Sequence, residues 1–348
     1  MEVDVGALVD NARTVAKIAG TRLLPVVKAN AYGVGAVAVS RALEPLDPWG
    51  YGVATIEEGA ELRNAGITRP ILVFMPTRAQ LFDEYDRHHL TPALGDAGSI
   101  LEWTTRSERA FHVEIDTGMG RAGVRWDDVD ELGEAVDTAA LEGCFTHFHS
   151  ADRNDGSAER QLERFVTAVG RLPRRPALLH VANSAAALRG KQFAFDLVRP
   201  GIFLYGGSPG EGLEQPKPVV SVRARVLSVR RLRKGETVSY GASWTASRDT
   251  VVATLGIGYA DGVRRTAGVS GKAQVLLRGK RCPIVGVVQM DMTLVETGPI
   301  EVQVGDIATI VGEEAKQRIT LDEFAGWSDE VPHEFLTGLG ARLLRVYR

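Results

Sequence analysis

Lys28 follows a short apolar run, Leu23-Leu24-Pro25-Val26-Val27, and precedes a loop containing Gly33 and Gly35. The run reads as a buried strand. A lysine at the carboxyl end of a buried strand is costly unless it is paired or used. Parallel α/β folds keep their chemistry at that end of the strands. Desolvation lowers the pKa of an amine, so such a lysine can be a neutral nucleophile and form a Schiff base with an aldehyde. The bland alternative is a lysine whose head snorkels to solvent.

Other residues sit at similar places. Glu114-Ile115-Asp116-Thr117-Gly118-Met119-Gly120-Arg121 ends a strand in a glycine-rich loop. An arginine so presented suits two-pronged capture of a carboxylate, although a surface arginine after a turn looks the same. Thr146-His147-Phe148-His149-Ser150-Ala151-Asp152 closes another strand. Two histidines two apart share a face, and with Asp152 they could also ligate zinc. Ser184, in a loop leading to a helix, and the Arg199-Pro200-Gly201-Ile202 run offer a hydroxyl and backbone N–H groups. Such groups make an anion cradle, and barrels often hold phosphate after strands seven and eight. Tyr259, in Gly256-Ile257-Gly258-Tyr259-Ala260-Asp261-Gly262, ends a strand. Taken alone it reads as a half-buried packing residue.

The elements that position these residues alternate. Val5–Ile18 has helical spacing. Strands are expected at Leu23–Val27, Tyr51–Ala54, Ile71–Phe74, Thr91–Leu94, Phe111–Ile115, Gly143–Phe148, Leu178–Val181 and Leu197–Val198. Helices are expected between them, at Ala36–Leu43, Ile56–Asn64, Ala97–Thr104, Trp126–Ala139 and Ala158–Gly170. Eight strands with intervening helices over roughly 200 residues predict a (β/α)8 barrel. A doubly wound sheet also alternates, but no GxGxxG follows the first strand. After Gly206 the pattern changes. A Gly/Ser/Pro loop runs to Gly212, and the boundary is expected there, with a barrel over 1–212 and a mainly-β domain over 213–348. Beyond it, period-two alternation predicts strands at Val219–Leu227, Thr250–Ile257, Ala273–Leu277, Val285–Gln289 and Ile307–Val311.

Composition excludes several classes of function. The 348 residues are 44% hydrophobic and 24% charged, ordinary for a soluble globular protein. A net charge of −3 without a basic block argues against a nucleic-acid partner. No apolar run approaches the ~20 residues of a membrane span. The acidic start, MEVDVGALVD, lacks the regions of a signal peptide. Cys144 and Cys282, far apart, read as reduced thiols. A cytoplasmic location is expected.

In order along the chain, these motifs resemble those of the alanine racemase family. Val27-Lys28-Ala29-Asn30-Ala31-Tyr32-Gly33-Val34-Gly35 is similar to its VKANAYGHG, with Val34 in place of histidine. The run at 114–124 is similar to KxDTGMGRLG, that at 146–152 to THFAxAD, His180–Ala185 to the start of HAANSAA, and Val198–Ile202 to the start of VRPGIxLYG. Gly258–Gly262 matches GYADG, and Val288-Gln289-Met290-Asp291-Met292 stands where the family has VCMDQ.

The resemblance implies a barrel enzyme using pyridoxal phosphate and no metal. Lys28 would carry the cofactor as a Schiff base, with the Tyr32 hydroxyl on its phosphate. Ser184, Gly201 and Ile202 would hold that phosphate too. His147 would sit behind the ring and Arg199 opposite the pyridine nitrogen. Arg121 would hold the substrate carboxylate, helped by the Met290 N–H. The implied reaction is interconversion of L- and D-alanine, supplying D-alanine for cell-wall synthesis. Lys28 would be the base for the D-isomer and Tyr259, from the other subunit of a head-to-tail homodimer, the base for the L-isomer. The chain has Glu114 where many members have a carbamylated lysine, and Ala341-Arg342-Leu343-Leu344-Arg345 where members often have YRVPR. Two other readings stand beside this one. One is a racemase of serine or larger amino acids. The other is a metal-dependent barrel hydrolase using His147, His149 and Asp152.

Overall fold

In the computed structural model, residues 1–138 and 140–348 are described. The chain divides into two compact units, one of Val9–Leu204 with Ser208–Pro216, the other of Met1–Leu8, Tyr205–Gly207 and Lys217–Arg348.

The first unit is built on parallel strands at Arg22–Leu23, Tyr51–Val53, Ile71–Val73, Thr91–Leu94, Phe111–Asp116, Leu141–Phe145, Leu178–His180 and Leu197–Val198. The six from Tyr51 to His180 form one sheet in chain order. Leu197–Val198 pairs with Arg22–Leu23, and Val26 bridges to Gly52. The Asp196 N–H donates to the Leu179 carbonyl at 3.0 Å, and the Arg199 N–H to the Ala182 carbonyl at 2.8 Å. The last strand is thus joined on both sides, as a closed (β/α)8 barrel requires. Leu24, Trp49, Leu72 and Leu197 form a buried cluster, with Phe74 and Leu178 packed on it.

Local chemistry sets the helices. Thr55 accepts from the Glu58 N–H at 3.3 Å and starts the helix Ile56–Asn64 as a capping box. Asp96 accepts from the Ser99 N–H at 2.8 Å and starts Ala97–Arg106. The expected helices at Ala36–Leu43 and Ala158–Gly170 form as Ala36–Leu43 and Ser157–Arg171. The helix expected at 126–139 does not form as an α-helix. A 3₁₀ segment, Val129–Val136, takes its place, broken at Gly133, where φ is 48°. Position 139 itself lies outside the described residues. The strand expected over Leu23–Val27 pairs regularly only at Arg22–Leu23, because Pro25 has no N–H to donate.

In the second unit the long strand Val220–Leu232 runs antiparallel to Glu2–Val3, Thr250–Leu255 and Ile307–Glu314. Gln274–Leu277 pairs with Lys280–Pro283 and Ile307–Glu314. The strand expected at 285–289 is absent: Gly286, at φ 69°, turns the chain, and the next strand is Thr293–Glu296. Two short helices, Leu321–Trp327 and Pro332–Gly338, also belong to this mainly-β unit.

Candidate active site

Lys28 is half-buried where the first strand segment leaves the barrel. The residues after it do not form an open loop. Ala29, Asn30, Ala31 and Tyr32 all have φ between 51° and 55°, a left-handed turn. That conformation costs roughly 1–2 kcal/mol per non-glycine residue. Side chains hold it in place. Glu58 accepts from the Ala29 N–H at 2.6 Å and the Ala54 N–H at 2.7 Å. Asn30 Oδ1 accepts from the Ala36 N–H at 2.8 Å, where the next helix begins. The turn aims Lys28 and Tyr32 while keeping the backbone bonded.

Burial lowers the pKa of Lys28, and the Arg121 charge lowers it further, against a smaller opposing effect of Glu58. His147 is pushed down to about 3, first by burial and then by the Arg199, Arg121 and Lys28 charges. It is therefore neutral at working pH. Arg121 is exposed, on the loop the sequence indicated. Glu114 is buried, which raises its pKa, while Arg121 and then Arg199 pull it down. The Arg121 charge thus acts on Lys28, Glu114 and His147, and the Arg199 charge on Glu114 and His147.

Arg199 is 4% exposed. Its Nη1 donates to the His180 carbonyl at 2.5 Å and to His180 Nδ1 at 3.0 Å. Its Nη2 donates to the carbonyls of Thr146 at 2.6 Å and Val181 at 3.3 Å. Burial lowers its pKa to about 10, so it remains charged. The fifth donor, Nε–H, has no hydrogen-bond partner among the described residues.

Tyr32, Ser184, Gly201 and Ile202 are all buried. Ser184 Oγ accepts from the Gly201 N–H at 2.9 Å and the Phe203 N–H at 3.4 Å. A Cβ on Gly201 would lie 2.3 Å from the Tyr32 hydroxyl, so only glycine leaves that space open. Burial pushes the Tyr32 hydroxyl up to about 12, which keeps it a donor.

Tyr259 and Met290 belong to the second unit and come together there. The Tyr259 N–H donates to the Gln289 carbonyl at 2.9 Å, and the Ala260 N–H to the Met290 carbonyl at 3.0 Å. Tyr259 is 42% exposed and Met290 53%. Asp261 Oδ2 accepts from the Gly258 N–H at 2.9 Å and closes the turn. This tyrosine is not the packing residue that the strand-end pattern alone suggested.

The metal reading finds no geometry. Among the described residues no three His, Cys, Asp or Glu side chains converge as metal ligands. His149 is exposed and bonded to Ser150 Oγ at 2.8 Å. Sequence reasoning missed Glu58, His112, Glu142 and Arg342. Only Glu58 carried a local signal, the Thr-x-x-Glu capping pattern at Thr55.

The family model for the N-terminal domain of alanine racemase matches residues 3–209, and that for the C-terminal domain residues 219–347. The chain is 38% identical to the alanine racemase of Symbiobacterium thermophilum, over 99% of this chain and 96% of the relative. It superposes on the alanine racemase of E. faecalis with a TM-score of 0.92 at 31% identity, covering 100% of this chain and 97% of that one. The Bartonella henselae alanine racemase, solved with covalently bound pyridoxal phosphate, gives a TM-score of 0.92 at 31% identity, covering 100% and 98%. The chain belongs to the alanine racemase family.

Proposed function

We propose that this protein racemises alanine with pyridoxal phosphate attached to Lys28. The observation that carries the reading is a half-buried strand-end lysine of lowered pKa, electrostatically coupled to Arg121 and His147. A neutral amine is what Schiff-base chemistry requires.

The residues present fit the cofactor. The open space at Gly201, beside the Tyr32 hydroxyl and the Ser184-bonded N–H groups, suits its phosphate, with Ile202 at the same loop. The unspent Nε–H of Arg199 suits its ring nitrogen, and neutral His147 the face of its ring. When bound, pyridoxal phosphate acidifies the Cα–H of an amino acid by conjugation.

The chain supplies the rest. Arg121 grips the substrate carboxylate with a fork of donors, and the Met290 N–H adds a second hold. Racemisation needs an acid/base on each face of Cα. Lys28 Nζ moves the proton on the D face and the Tyr259 hydroxyl on the L face. Arg199 stays charged and is a donor only, so it leaves the ring nitrogen unprotonated. That restrains charge delocalisation and disfavours transamination.

Lys28 and Tyr259 lie in different domains, taken here as 1–212 and 213–348. In the shared-site reading, each site uses Tyr259 of the partner subunit in a head-to-tail homodimer. The product would supply D-alanine for cell-wall synthesis in the cytoplasm. A chiral assay of the purified protein against a panel of amino acids tests the substrate: alanine should be turned over fastest, and faster turnover of serine would move the assignment. Mixing Lys28→Ala subunits with Tyr259→Phe subunits tests the shared site. Activity should return after subunit exchange, because one site of the mixed dimer has both bases. No recovery after verified exchange contradicts sharing.

A further inference from the structure

Beneath Arg199 runs a line of buried polar side chains that the reaction above does not use. His180 Nδ1 meets Arg199 Nη1 at 3.0 Å. His180 Nε2 meets His112 Nδ1 at 2.8 Å. His112 Nε2 meets Glu142 Oε2 at 3.2 Å. His112 and His180 are fully buried, whereas the Glu142 side chain is 33% exposed. The line leads from the barrel interior to solvent.

Its direction follows from the chemistry of the groups. A guanidinium only donates, so His180 Nδ1 must accept. A neutral imidazole that accepts on one nitrogen donates from the other, so the His180 proton is on Nε2. His112 Nδ1 must then accept, and its Nε2–H donates to the Glu142 carboxylate. The opposite order would set an N–H against the guanidinium. Burial, with the Arg199 charge, holds His180 well below the usual imidazole range, so it is neutral as this order requires.

The surroundings are built for these rings. Phe145 stacks on His180 at 5.0 Å with an interplanar angle of 15°, and Arg199 Cζ lies 5.3 Å from the same Phe145 ring. Trp49 packs at 5.4 Å from His112. A Cβ on Gly143 would stand 2.5 Å from His112 Cε1 and Nδ1, so a glycine leaves room for the ring. Among the described residues no carboxylate lies within salt-bridge range of Arg199; the nearest along this chain of bonds is Glu142.

We infer that Glu142 and His112 are positioning residues: acting through His180, they complete the hydrogen-bonded line that holds Arg199 in place for the cofactor ring. The inference rests on the role of Arg199 proposed above. With the Glu142 carboxyl oxygen accepting at the outer end, every proton in the line is committed outward. The Nη donors of Arg199 are then fully engaged and its Nε–H stays free.

The test compares the wild-type holoenzyme with Glu142→Gln, Glu142→Leu and His112→Phe. Nitrogen-15 NMR of histidine-labelled protein reads the tautomers, and absorbance with pyridoxal phosphate titration reads the cofactor. Wild type should show both His112 and His180 protonated on Nε2. Glu142→Gln keeps an acceptor oxygen and should retain that pattern. Glu142→Leu leaves the His112 Nε2–H without its acceptor and should shift the absorption maximum of the bound cofactor. His112→Phe keeps the ring volume and should shift the absorption maximum of the bound cofactor and weaken its binding about tenfold. A merely structural role would lower the melting temperature and leave the absorption maximum unchanged. That result, or a wild-type His180 protonated on Nδ1, overturns the inference. Should His112→Phe not fold, an unchanged absorption maximum in Glu142→Leu, a partly exposed site, overturns it alone. Wild type that binds no cofactor would instead overturn the proposed function.

Discussion

Arg342 donates from Nε to Asp261 Oδ1 at 3.0 Å, and its Nη1 donates to Asp291 Oδ1 at 2.8 Å. Asp261 closes the turn that carries Tyr259, and Asp291 follows Met290. One guanidinium therefore braces both turns of the second unit that carry proposed site residues. Arg342→Met should lower kcat/KM about tenfold, ~1.4 kcal/mol, equally for L- and D-alanine because the enantiomers have equal free energy, and leave cofactor binding unchanged. Steady-state kinetics in both directions and a pyridoxal phosphate titration check this; an unchanged kcat/KM would deny the bracing role.

The left-handed turn after Lys28 depends on Glu58, which accepts from the Ala29 and Ala54 N–H groups. Glu58→Ala leaves strained backbone without its acceptor. A loss of about 1–3 kcal/mol of stability is expected, with slower attachment of cofactor to Lys28. Urea unfolding and borohydride trapping measure the two. Wild-type values for both would mean the turn holds itself.

Glu114 takes the place of the lysine in the motif KxDTGMGRLG that its run resembles, and it is buried within reach of the Arg121 and Arg199 charges. It offers a carboxylate without reaction with carbon dioxide, so activity should be independent of added bicarbonate. Glu114→Gln should weaken substrate binding by about 1.5–3 kcal/mol, the scale of a hydrogen bond to a charged group. Unchanged KM and kcat would rule this out.

Lys28 gives a pH dependence with a definite sign. Its folded pKa is below the ordinary 10.5, so the charged amine is disfavoured in the fold. Between the folded and unfolded values the unfolded chain binds more protons, and stability rises with pH. In cofactor-free protein, Lys28→Met should therefore raise the melting temperature at neutral pH. The gain should shrink as pH climbs towards 10.5. A gain that grows with pH contradicts the sign.

The barrel was legible because each strand is a short apolar run ending in turn residues, as at Ile71–Val73 and Thr91–Leu94. Lys28, Arg121, His147, Ser184 and Arg199 were legible as candidates because their motifs are local. The turn at Ala29–Tyr32 was not, since alanine and tyrosine have no preference for left-handed backbone and only Glu58 and Asn30 explain it. His112, Glu142 and His180 meet across three strands, which no local pattern encodes. The helix expected from Trp126 onward had the right apolar spacing, but Gly133 broke it.

The central claim, racemisation of alanine at Lys28, is tested most directly by following optical activity from both sides. Protein loaded with pyridoxal phosphate is incubated with pure L-alanine and, separately, pure D-alanine. Enantiomers have equal free energy, so both solutions should decay to zero ellipticity, and Lys28→Ala should leave both unchanged. Persistent ellipticity with wild-type protein, or full decay with Lys28→Ala, would contradict the account.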